Sequence, residues 1–520
     1  FNILSKNMNL IFSTLSERQQ EGYLNSNFRT PLNVYLSVFT DPSEQIDLYQ
    51  NLFIYRGITS RTLRNRTRAT IDPNAASLFA QLKEARTFYA NLYLSPNPKL
   101  SLEVQQKLLK MAIERKENLE RQLCSVSESF RKSDALSKTT FTDLHNTLNE
   151  NTAIVDFLFY QHITDWKNGI QEERVIAFVI KKESPVLRID LGLSLPIRSA
   201  TKAFRQQLQS GREIQIDDLP ADQYLTKLLW NPISETLSDK QSLYLIPDED
   251  LAFIPFEALR IEEEGELKYL TEIKSIAYLS SPQDLIEFAM ENEVNPNSFL
   301  CLGNVAYSES PELSTSSTSE GLRTEDSVLN AAWSELPGTA KECEFLLNSF
   351  QSVFPTQSNE YLGQKKASKA LLLEKAVGKR YLHWATHGFF KTIPKTPMLQ
   401  GKQRSKGGLI SLWTEDEEPG QRSKIPEGVN PMLYSGIVLA GANLDKKEEQ
   451  EKGKEEGRLL SIVEGFLTAE ELAGMNLKGT ELLTLSACET ALGEGLSGQG
   501  VSGLRLATQV AGARATLLSL

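Results

Sequence analysis

Two short apolar segments of the chain each end in a side chain that can do covalent chemistry. Residues 381–390 read YLHWATHGFF and carry His387, and residues 484–493 read TLSACETALG and carry Cys488. Both candidates stand where a strand-like pattern stops. The thiolate form of cysteine attacks carbonyl carbon, and a nearby imidazole can remove the thiol proton. The two segments therefore predict a cysteine nucleophile assisted by a histidine base.

Chance pairing of these residue types is limited, because the 520-residue chain has only four histidines and four cysteines. Gly388 follows the histidine and Ala487 precedes the cysteine, so the backbone can come close to a substrate at both places. The alternative is that both side chains are structural, since a lone cysteine usually packs as a small hydrophobic residue. His383 shares a strand face with His387 and can either orient the site or be structural.

Both segments resemble motifs of the CHAT family of caspase-like cysteine peptidases, which share a clan with caspases and separase. Further segments resemble other family motifs in the family's order, and the similarity runs from about Asn151 to the end of the chain. These segments are residues 245–248, 254–259, 302–304, 336–342, 430–443 and 467–471. The resemblance implies an α/β caspase-like sheet core.

The spacing of the apolar residues divides the chain into a helical part and an α/β part. Residues 75–94 and 102–130 are amphipathic with helical spacing, and the prolines between them predict a turn. These two stretches therefore predict a helical hairpin or the end of a helical repeat array. From residue 151 onward, strand-like runs alternate with helical patterns, which is typical of an α/β layer.

We predict three regions from this pattern and the resemblance. They are a helical region at residues 1–150, the N-terminal α/β part of the CHAT domain at residues 151–295, and the caspase-like catalytic core at residues 296–520. In some relatives a pseudo-peptidase half precedes the active half, and residues 151–295 could be such a half. The family's core continues beyond a strand like the one at residues 515–520, so we expect this core to be truncated at its C-terminus.

Several segments have the pattern of surface loops or short helices. Thr468 and Glu471 match a capping box, which predicts a short helix. Residues 493–500 are rich in glycine and predict a flexible loop, followed by a helix at residues 501–511. Three polar or charged stretches predict exposed insertions. They are residues 308–334, 391–428 and 445–458.

The resemblance assigns roles to individual residues. Cys488 would attack the scissile carbonyl carbon, and His387 would take the thiol proton and then protonate the leaving amine. The backbone N–H groups of Gly388 and Cys488 would form the oxyanion hole. Ser486 stands where relatives that cut after basic residues have an acid, so we expect no strong preference for Arg or Lys from that position. The candidate substrate pocket comprises Ser486, Glu489, Tyr434, Ser435 and Gly436.

We therefore predict a cysteine endopeptidase that cleaves a protein substrate through the Cys488/His387 dyad. The resemblance implies regulation by a protein partner, and the N-terminal helices are the candidate place where an activating or inhibiting partner binds. It also implies a role in bacterial defence. Two alternatives stay open: a catalytically silent CHAT scaffold, and a cysteine-dependent acyltransferase with the same dyad.

Composition limits the other classes of function. Hydrophobic residues make up 40% and charged residues 24% of the chain, and no apolar run approaches the ~18 residues of a membrane span. The net charge of -11 argues against a nucleic-acid surface as the main function, and the basic stretch at residues 61–68 reads as a solvated helix face. No phosphate loop, metal-ligand cluster or Rossmann fingerprint is present in the sequence, so no metal or cofactor is expected. Four cysteines in so long a chain predict a reducing, cytoplasmic compartment.

Overall fold

The computed structural model shows a mixed α/β protein with parallel strands and an N-terminal helical region. No helix among the residues that it describes is long and apolar enough to cross a bilayer. The predicted insertions at 391–428 and 445–458, and the basic stretch at 61–68, lie outside the described residues. The described residues are 15–16, 19–20, 23–56, 73–94, 100–133, 139–182, 184–290, 294–312, 333–390, 432, 435–443, 465–487, 493–496 and 500–519.

The N-terminal region contains the predicted helical hairpin. Leu82 of one long helix packs in a single apolar cluster with Leu119 and Leu123 of the next. Pro96 and Pro98 stand between the two helices, and neither can supply the N–H that a helix interior requires. The helices described in this region are α1 (Arg29–Val38), α2 (Gln45–Tyr55), α3 (Pro73–Leu94), α4 (Leu102–Ser133) and α5 (Phe141–Thr147).

A first five-stranded sheet follows, in the order β3-β2-β1-β6-β9. The neighbours β1, β2 and β3 are antiparallel, whereas β1, β6 and β9 are parallel. The strands of this part are β1 (Thr152–Asp165), β2 (Ile170–Lys181), β3 (Leu187–Leu193), β4 (Gln215–Ile216), β5 (Leu219–Pro220), β6 (Ser242–Ile246), β7 (Arg260–Glu263), β8 (Glu266–Tyr269) and β9 (Ser275–Tyr278). The helices are α6 (Ser194–Ser210), α7 (Ala221–Leu225), α8 (Asn231–Ser234), α9 (Leu270–Ile273) and α10 (Gln283–Met290).

The central strand β1 is buried on both of its faces. Phe157 lies in a core with Phe204 of α6, and Ile154 and Leu158 lie in a second core with Leu36 of α1. Because successive strand residues point to opposite faces, a strand covered on both sides needs apolar residues on both faces. This explains why residues 153–160 lack the alternation of a half-exposed strand. The one acid among them, Asp156, is buried and is bound by Arg56 and Tyr49.

A second five-stranded sheet is entirely parallel, in the order β11-β10-β12-β16-β19. A separate antiparallel sheet, β13-β14-β15, stands beside it. The strands are β10 (Ser298–Val305), β11 (Ser358–Gln364), β12 (Tyr381–Ala385), β13 (Gly388–Phe390), β14 (Ser435–Val438), β15 (Phe466–Thr468), β16 (Leu482–Ser486), β17 (Gly493–Leu496), β18 (Gly500–Gly503) and β19 (Ala515–Leu518). The helices are α11 (Gly338–Val353), α12 (Lys369–Lys375), α13 (Ala469–Leu472) and α14 (Leu504–Ala511).

The glycine-rich segment differs from its prediction. Residues 493–496 form the strand β17, which pairs antiparallel with β18 from Gly493 opposite Gly503 to Leu496 opposite Gly500. The helix predicted at residues 501–511 therefore starts only at Leu504. Glycine has a low intrinsic preference for strands, so the composition of this segment hid its backbone pairing.

The cysteines also differ from their prediction. Cys301 of β10 and Cys343 of α11 form a disulfide with a Cα–Cα distance of 5.7 Å, and both side chains are fully buried. The low cysteine count predicts a reducing compartment, in which these two cysteines would be free thiols. The two cysteines are 42 residues apart in sequence, and only the packing of α11 against β10 brings them together.

Candidate active site

His387 lies just after the carboxyl end of β12, where the chain leaves the parallel sheet and enters β13. Thr386 holds this link: its hydroxyl donates to the Val438 carbonyl at 2.5 Å and is also 2.8 Å from the Tyr307 hydroxyl. Burial raises the pKa of Tyr307, although its hydrogen bonds with Thr386 and the His387 backbone oppose the shift. The direction in which His387 leaves the sheet is thus set by a buried network of hydrogen bonds.

Three of the described residues lie close to the imidazole of His387. Its Nε2 is 2.8 Å from the Ser334 carbonyl oxygen, and its ring lies 5.3 Å, centroid to centroid, from both Tyr307 and Trp333. A carbonyl oxygen can only accept, so Nε2 carries the proton in this arrangement. In the neutral ring Nδ1 is then left with its lone pair, which is the state that a general base requires.

The partners of His387 were missed by the sequence analysis. Residues 308–334 were predicted to be one exposed polar loop, but Trp333 and Ser334 at its end contact the imidazole. A tryptophan at the end of a polar segment was the only signal available in the sequence. Residues 313–332 of that predicted loop lie outside the part of the chain that the structure describes.

The strand that leads to Cys488 is the immediate neighbour of the strand that leads to His387. Ala385 of β12 is opposite Ser486 of β16, and the Thr386 N–H donates to the Ser486 carbonyl at 3.2 Å. Ala487 exchanges two hydrogen bonds with the Ser519 hydroxyl, at 2.9 and 2.6 Å. Cys488 itself is outside the described residues. The two candidates therefore follow the carboxyl ends of adjacent parallel strands, where ligands bind in open α/β sheets.

The backbone of Gly388 faces away from its neighbouring strand. Gly388 is opposite Ile437 in the antiparallel pair β13–β14, and the Val438 N–H donates to the His387 carbonyl at 2.8 Å. This places Gly388 in a non-hydrogen-bonded pair, whose own N–H groups point outward. Since β13 is the edge strand of its sheet, the Gly388 N–H is directed away from β14.

The candidate pocket residues fall into two groups. Ser486 is half-buried at the carboxyl end of β16, whereas Ser435 and Gly436 are buried within β14. A Cβ added to Gly436 would lie 2.3 Å from the Leu467 carbonyl oxygen, so close packing against β15 requires this glycine. The other two candidates, Tyr434 and Glu489, lie outside the described residues.

His383 contacts a different part of the molecule. Its Nε2 is 2.8 Å from an Oε of Glu342 on α11, and burial lowers its pKa although the Glu342 carboxylate opposes the shift. These contacts favour the structural role for His383. Within the described part of the chain, no group of three His, Cys, Asp or Glu side chains could hold a metal ion.

Comparison with known proteins gives a family for the chain. The CHAT domain matches residues 220–520, which is more than half of the sequence and includes the whole second sheet. The match begins at residue 220, whereas the resemblance seen in the sequence begins earlier, at about Asn151. No curated protein matches the chain. The chain thus belongs to the CHAT domain family, a family of caspase-like cysteine peptidases.

Proposed function

We propose that this chain is a caspase-like cysteine endopeptidase with Cys488 as nucleophile and His387 as base. The observation that carries the proposal is the parallel pairing of β12 with β16. Because these strands are neighbours, the segments that lead to His387 and Cys488 leave the sheet side by side at its carboxyl end. The Ser334 carbonyl supports it further, because it occupies Nε2 of His387 and leaves Nδ1 for the thiol.

The reaction needs four proton transfers by one imidazole, two in forming the thioester and two in hydrolysing it. His387 takes the Cys488 proton, and the thiolate attacks the scissile carbonyl carbon. The imidazolium then protonates the amine as the C–N bond breaks, which leaves a thioester on Cys488. Water, deprotonated by the same ring, then attacks the thioester carbonyl carbon. The C–S bond breaks, the carboxylic acid is released, and the imidazolium returns its proton to the Cys488 thiolate.

The oxyanion hole would consist of two backbone donors. The Gly388 N–H points away from β14, so it can donate to a substrate carbonyl. The Cys488 N–H would be the second donor. A donor of this kind is typically worth ~3 kcal/mol of transition-state stabilisation. Gly388 has no side chain to block the approach of the substrate.

We propose that the second sheet belongs to the active, caspase-like half and that the first sheet is a pseudo-peptidase half. The carboxyl end of β6 leads into Pro247 and Asp248, a place with neither cysteine nor histidine. Asp248 accepts a hydrogen bond from Phe159 N–H at 3.0 Å and pairs with Arg56. These contacts are structural, which supports a non-catalytic role for the first sheet.

Regulation by a protein partner is part of the proposal, with α3 and α4 as the partner's binding place. Arg86 of α3 and Lys116 of α4 both contact Glu470 of α13, at 3.0 and 3.3 Å. Helix α13 directly follows β15, which pairs with β14 and through it with β13. A partner that moves the hairpin could therefore act on Gly388. A cytoplasmic role in bacterial defence is proposed from the family resemblance alone.

The test is cleavage of an unfolded protein such as casein by the full chain, followed by mass spectrometry of the new termini. We expect cleavage by the wild type and by Cys124→Ser, a matched cysteine control. Cys488→Ala and His387→Gln should each lose at least roughly 1,000-fold in kcat, since the dyad acts as a unit.

The alternatives give other results in the same experiment. A silent scaffold would neither cleave casein nor react at Cys488 with a peptide chloromethylketone. An acyltransferase would leave casein uncut. It would take the acyl group of an added activated ester onto Cys488, release the alcohol of that ester, and pass the acyl group to an added amine.

A further inference from the structure

We infer that Asn443 is a positioning residue for His387, which it controls through Trp333 and Ser334. The inference rests on the proposed peptidase function, in which His387 is the base. Asn443 takes no part in the chemistry above. Its hydrogen bonds instead hold the two residues, Trp333 and Ser334, that contact the imidazole.

The turn that carries Asn443 is firmly docked. It follows β14, and its alanines Ala440 and Ala442 are fully buried. The Gly441 N–H donates to the Ala306 carbonyl at 3.2 Å, and the Asn443 N–H donates to the Tyr307 carbonyl at 2.8 Å. Asn443 therefore projects from a rigid base, which is what a positioning side chain requires.

The side-chain amide of Asn443 clamps the backbone of Trp333 by bonding both its N–H and its carbonyl group. Its Oδ1 accepts the Trp333 N–H at 2.8 Å, and its Nδ2 donates to the Trp333 carbonyl at 2.8 Å. Nδ2 also donates to the Ser308 hydroxyl at 3.2 Å. The amide thus copies the paired hydrogen bonds of a neighbouring strand, and it uses most of its bonding capacity to do so.

No backbone pairing replaces this clamp. Trp333 and Ser334 lie outside any helix or strand, and among the described residues the Trp333 backbone hydrogen bonds both go to Asn443. The Ser334 carbonyl, one residue further on, holds Nε2 of His387. Without the clamp, both the Ser334 carbonyl and the Trp333 ring lose their fixed position against the imidazole.

Asn443 also holds the second aromatic neighbour of His387. Its backbone N–H donates to the Tyr307 carbonyl at 2.8 Å, and the Tyr307 ring lies 5.3 Å, centroid to centroid, from the imidazole. The amide side chain and the amide backbone of one residue therefore hold both aromatic neighbours of the candidate base. This explains why a polar residue follows the buried segment at residues 437–442.

The chain offers a matched control in Asn295. Its Nδ2 also bridges two backbone carbonyls, those of Lys379 and Lys478, at 3.3 and 3.2 Å. These residues precede β12 and β16, so Asn295 serves the same two strands at the opposite edge of the sheet. A general loss of stability should appear in both Asn→Ala variants, whereas an effect on His387 should appear only at Asn443.

The first experiment is NMR of the full chain labelled with ¹⁵N-histidine, which contains only four histidines. His387→Gln assigns the His387 signals. In the wild type and in Asn295→Ala, we expect the Nε2-protonated tautomer of His387, because Nε2 faces the Ser334 carbonyl. In Asn443→Ala, we expect a mixture of the two ring tautomers, while the His383 signals stay unchanged. An unaltered His387 tautomer in folded Asn443→Ala would overturn the inference.

Asn443→Asp guards against an unfolded alanine variant. The carboxylate keeps an acceptor for the Trp333 N–H but has no donor for the Trp333 carbonyl. We expect a tautomer mixture in this variant too, and a wild-type spectrum from it would also overturn the inference.

The second readout is peptidase kinetics. Small displacements of a catalytic group can lower the rate on the order of 100-fold, so we expect Asn443→Ala to reduce kcat by about 10- to 100-fold with little change in KM. An equal loss in Asn295→Ala would contradict the inference. If the wild type cleaves nothing, the proposed function fails, and the tautomer measurement still decides the role of Asn443.

Discussion

The two ring nitrogens of His387 have different tasks in the proposed chemistry. Nε2 is held by the Ser334 carbonyl at 2.8 Å, and Nδ1 remains to exchange protons with the thiol and the leaving amine. A backbone carbonyl such as that of Ser334 can hold Nε2 without adding a charge to the site. The ring also packs against Tyr307 and Trp333, which limits its rotation.

Gly436 is a single-residue test of the packing behind the site. A Cβ there would meet the Leu467 carbonyl oxygen at 2.3 Å and the Phe389 ring at 2.6 Å, and the carbonyl belongs to the paired strand β15. We expect Gly436→Ala to lower the free energy of unfolding by about 1–3 kcal/mol, as overpacking does. Urea denaturation measures the change. Gly338→Ala is the control, because among the described residues no atom beyond its chain neighbours and its own helix backbone lies within 4 Å of the added Cβ. Equal effects in both variants would contradict the packing explanation.

His383 predicts a dependence of stability on pH. Because burial lowers its pKa in the folded state, the unfolded state binds the proton more readily below about pH 6.5. Stability should therefore fall as the pH drops through that value, by at most about 1.4 kcal/mol per pH unit, until the folded-state pKa is passed. His383→Gln keeps a donor for Glu342 and should remove this part of the slope. Melting temperatures between pH 7.5 and 5.5 check it, and an unchanged slope in the variant would refute it.

At the scale of elements, α11 is fastened to the second sheet at three places on neighbouring turns. Thr339 Oγ accepts the Asn304 N–H at 2.8 Å, Glu342 binds His383, and Cys343 forms the disulfide with Cys301. Trp333 and Ser334 lie just before this helix in the chain. The start of α11 is therefore fixed close to the segment that contacts His387.

The disulfide should make the stability of this unit depend on redox conditions. It closes a loop across 42 residues, and the chain-entropy relation gives about 4 kcal/mol for a loop of that length. We expect dithiothreitol to lower the urea midpoint of the wild type and to leave that of Cys343→Ser unchanged. If dithiothreitol leaves the urea midpoint of the wild type unchanged, the result would instead support the free thiols expected from a reducing compartment.

At the scale of the whole molecule, polar groups join the two sheets to each other and the helical hairpin to the second sheet. Arg505 of α14 lies over the Tyr278 ring at 4.8 Å, and the Ser280 hydroxyl donates to the Gln509 side chain, which joins the two sheets. Glu470 joins the helical hairpin to the second sheet through Arg86 and Lys116. A displacement of the hairpin would thus act on the strands that frame the candidate site.

The Glu470 contact can be tested by removing its charge. Glu470 is fully buried, and Glu470→Gln takes away a carboxylate within 3.3 Å of both buried cations. Breaking such a group costs about 3–5 kcal/mol, so we expect a lower midpoint and faster trypsin cleavage in residues 73–133. Glu309→Gln is the control, since its pair with Lys365 is about half exposed and should contribute less than ~1 kcal/mol. Equal behaviour of the two variants would show that Glu470 does not hold the hairpin.

Much of the local structure follows from the sequence alone. The amphipathic stretches predicted α3 and α4, the apolar runs predicted β1, β10, β12 and β16, and Thr468 with Glu471 predicted the capped start of α13, which is confirmed. These features depend on neighbours in the chain, so residue type and spacing suffice to find them. The pairing of His387 with Cys488 as a dyad stays a prediction of the same kind.

The surroundings of His387 depend instead on the tertiary structure. Ser334, Trp333 and Asn443 come from segments far from His387 in sequence, and hydrogen bonds to backbone atoms leave no mark on the residue types that make them. The disulfide and the outward direction of the Gly388 N–H likewise depend on helix packing and strand register. The sequence by itself determined which residues can do the chemistry, because reactivity resides in side-chain type. Only the tertiary structure decided what holds them, because long-range contacts form when distant segments share one core.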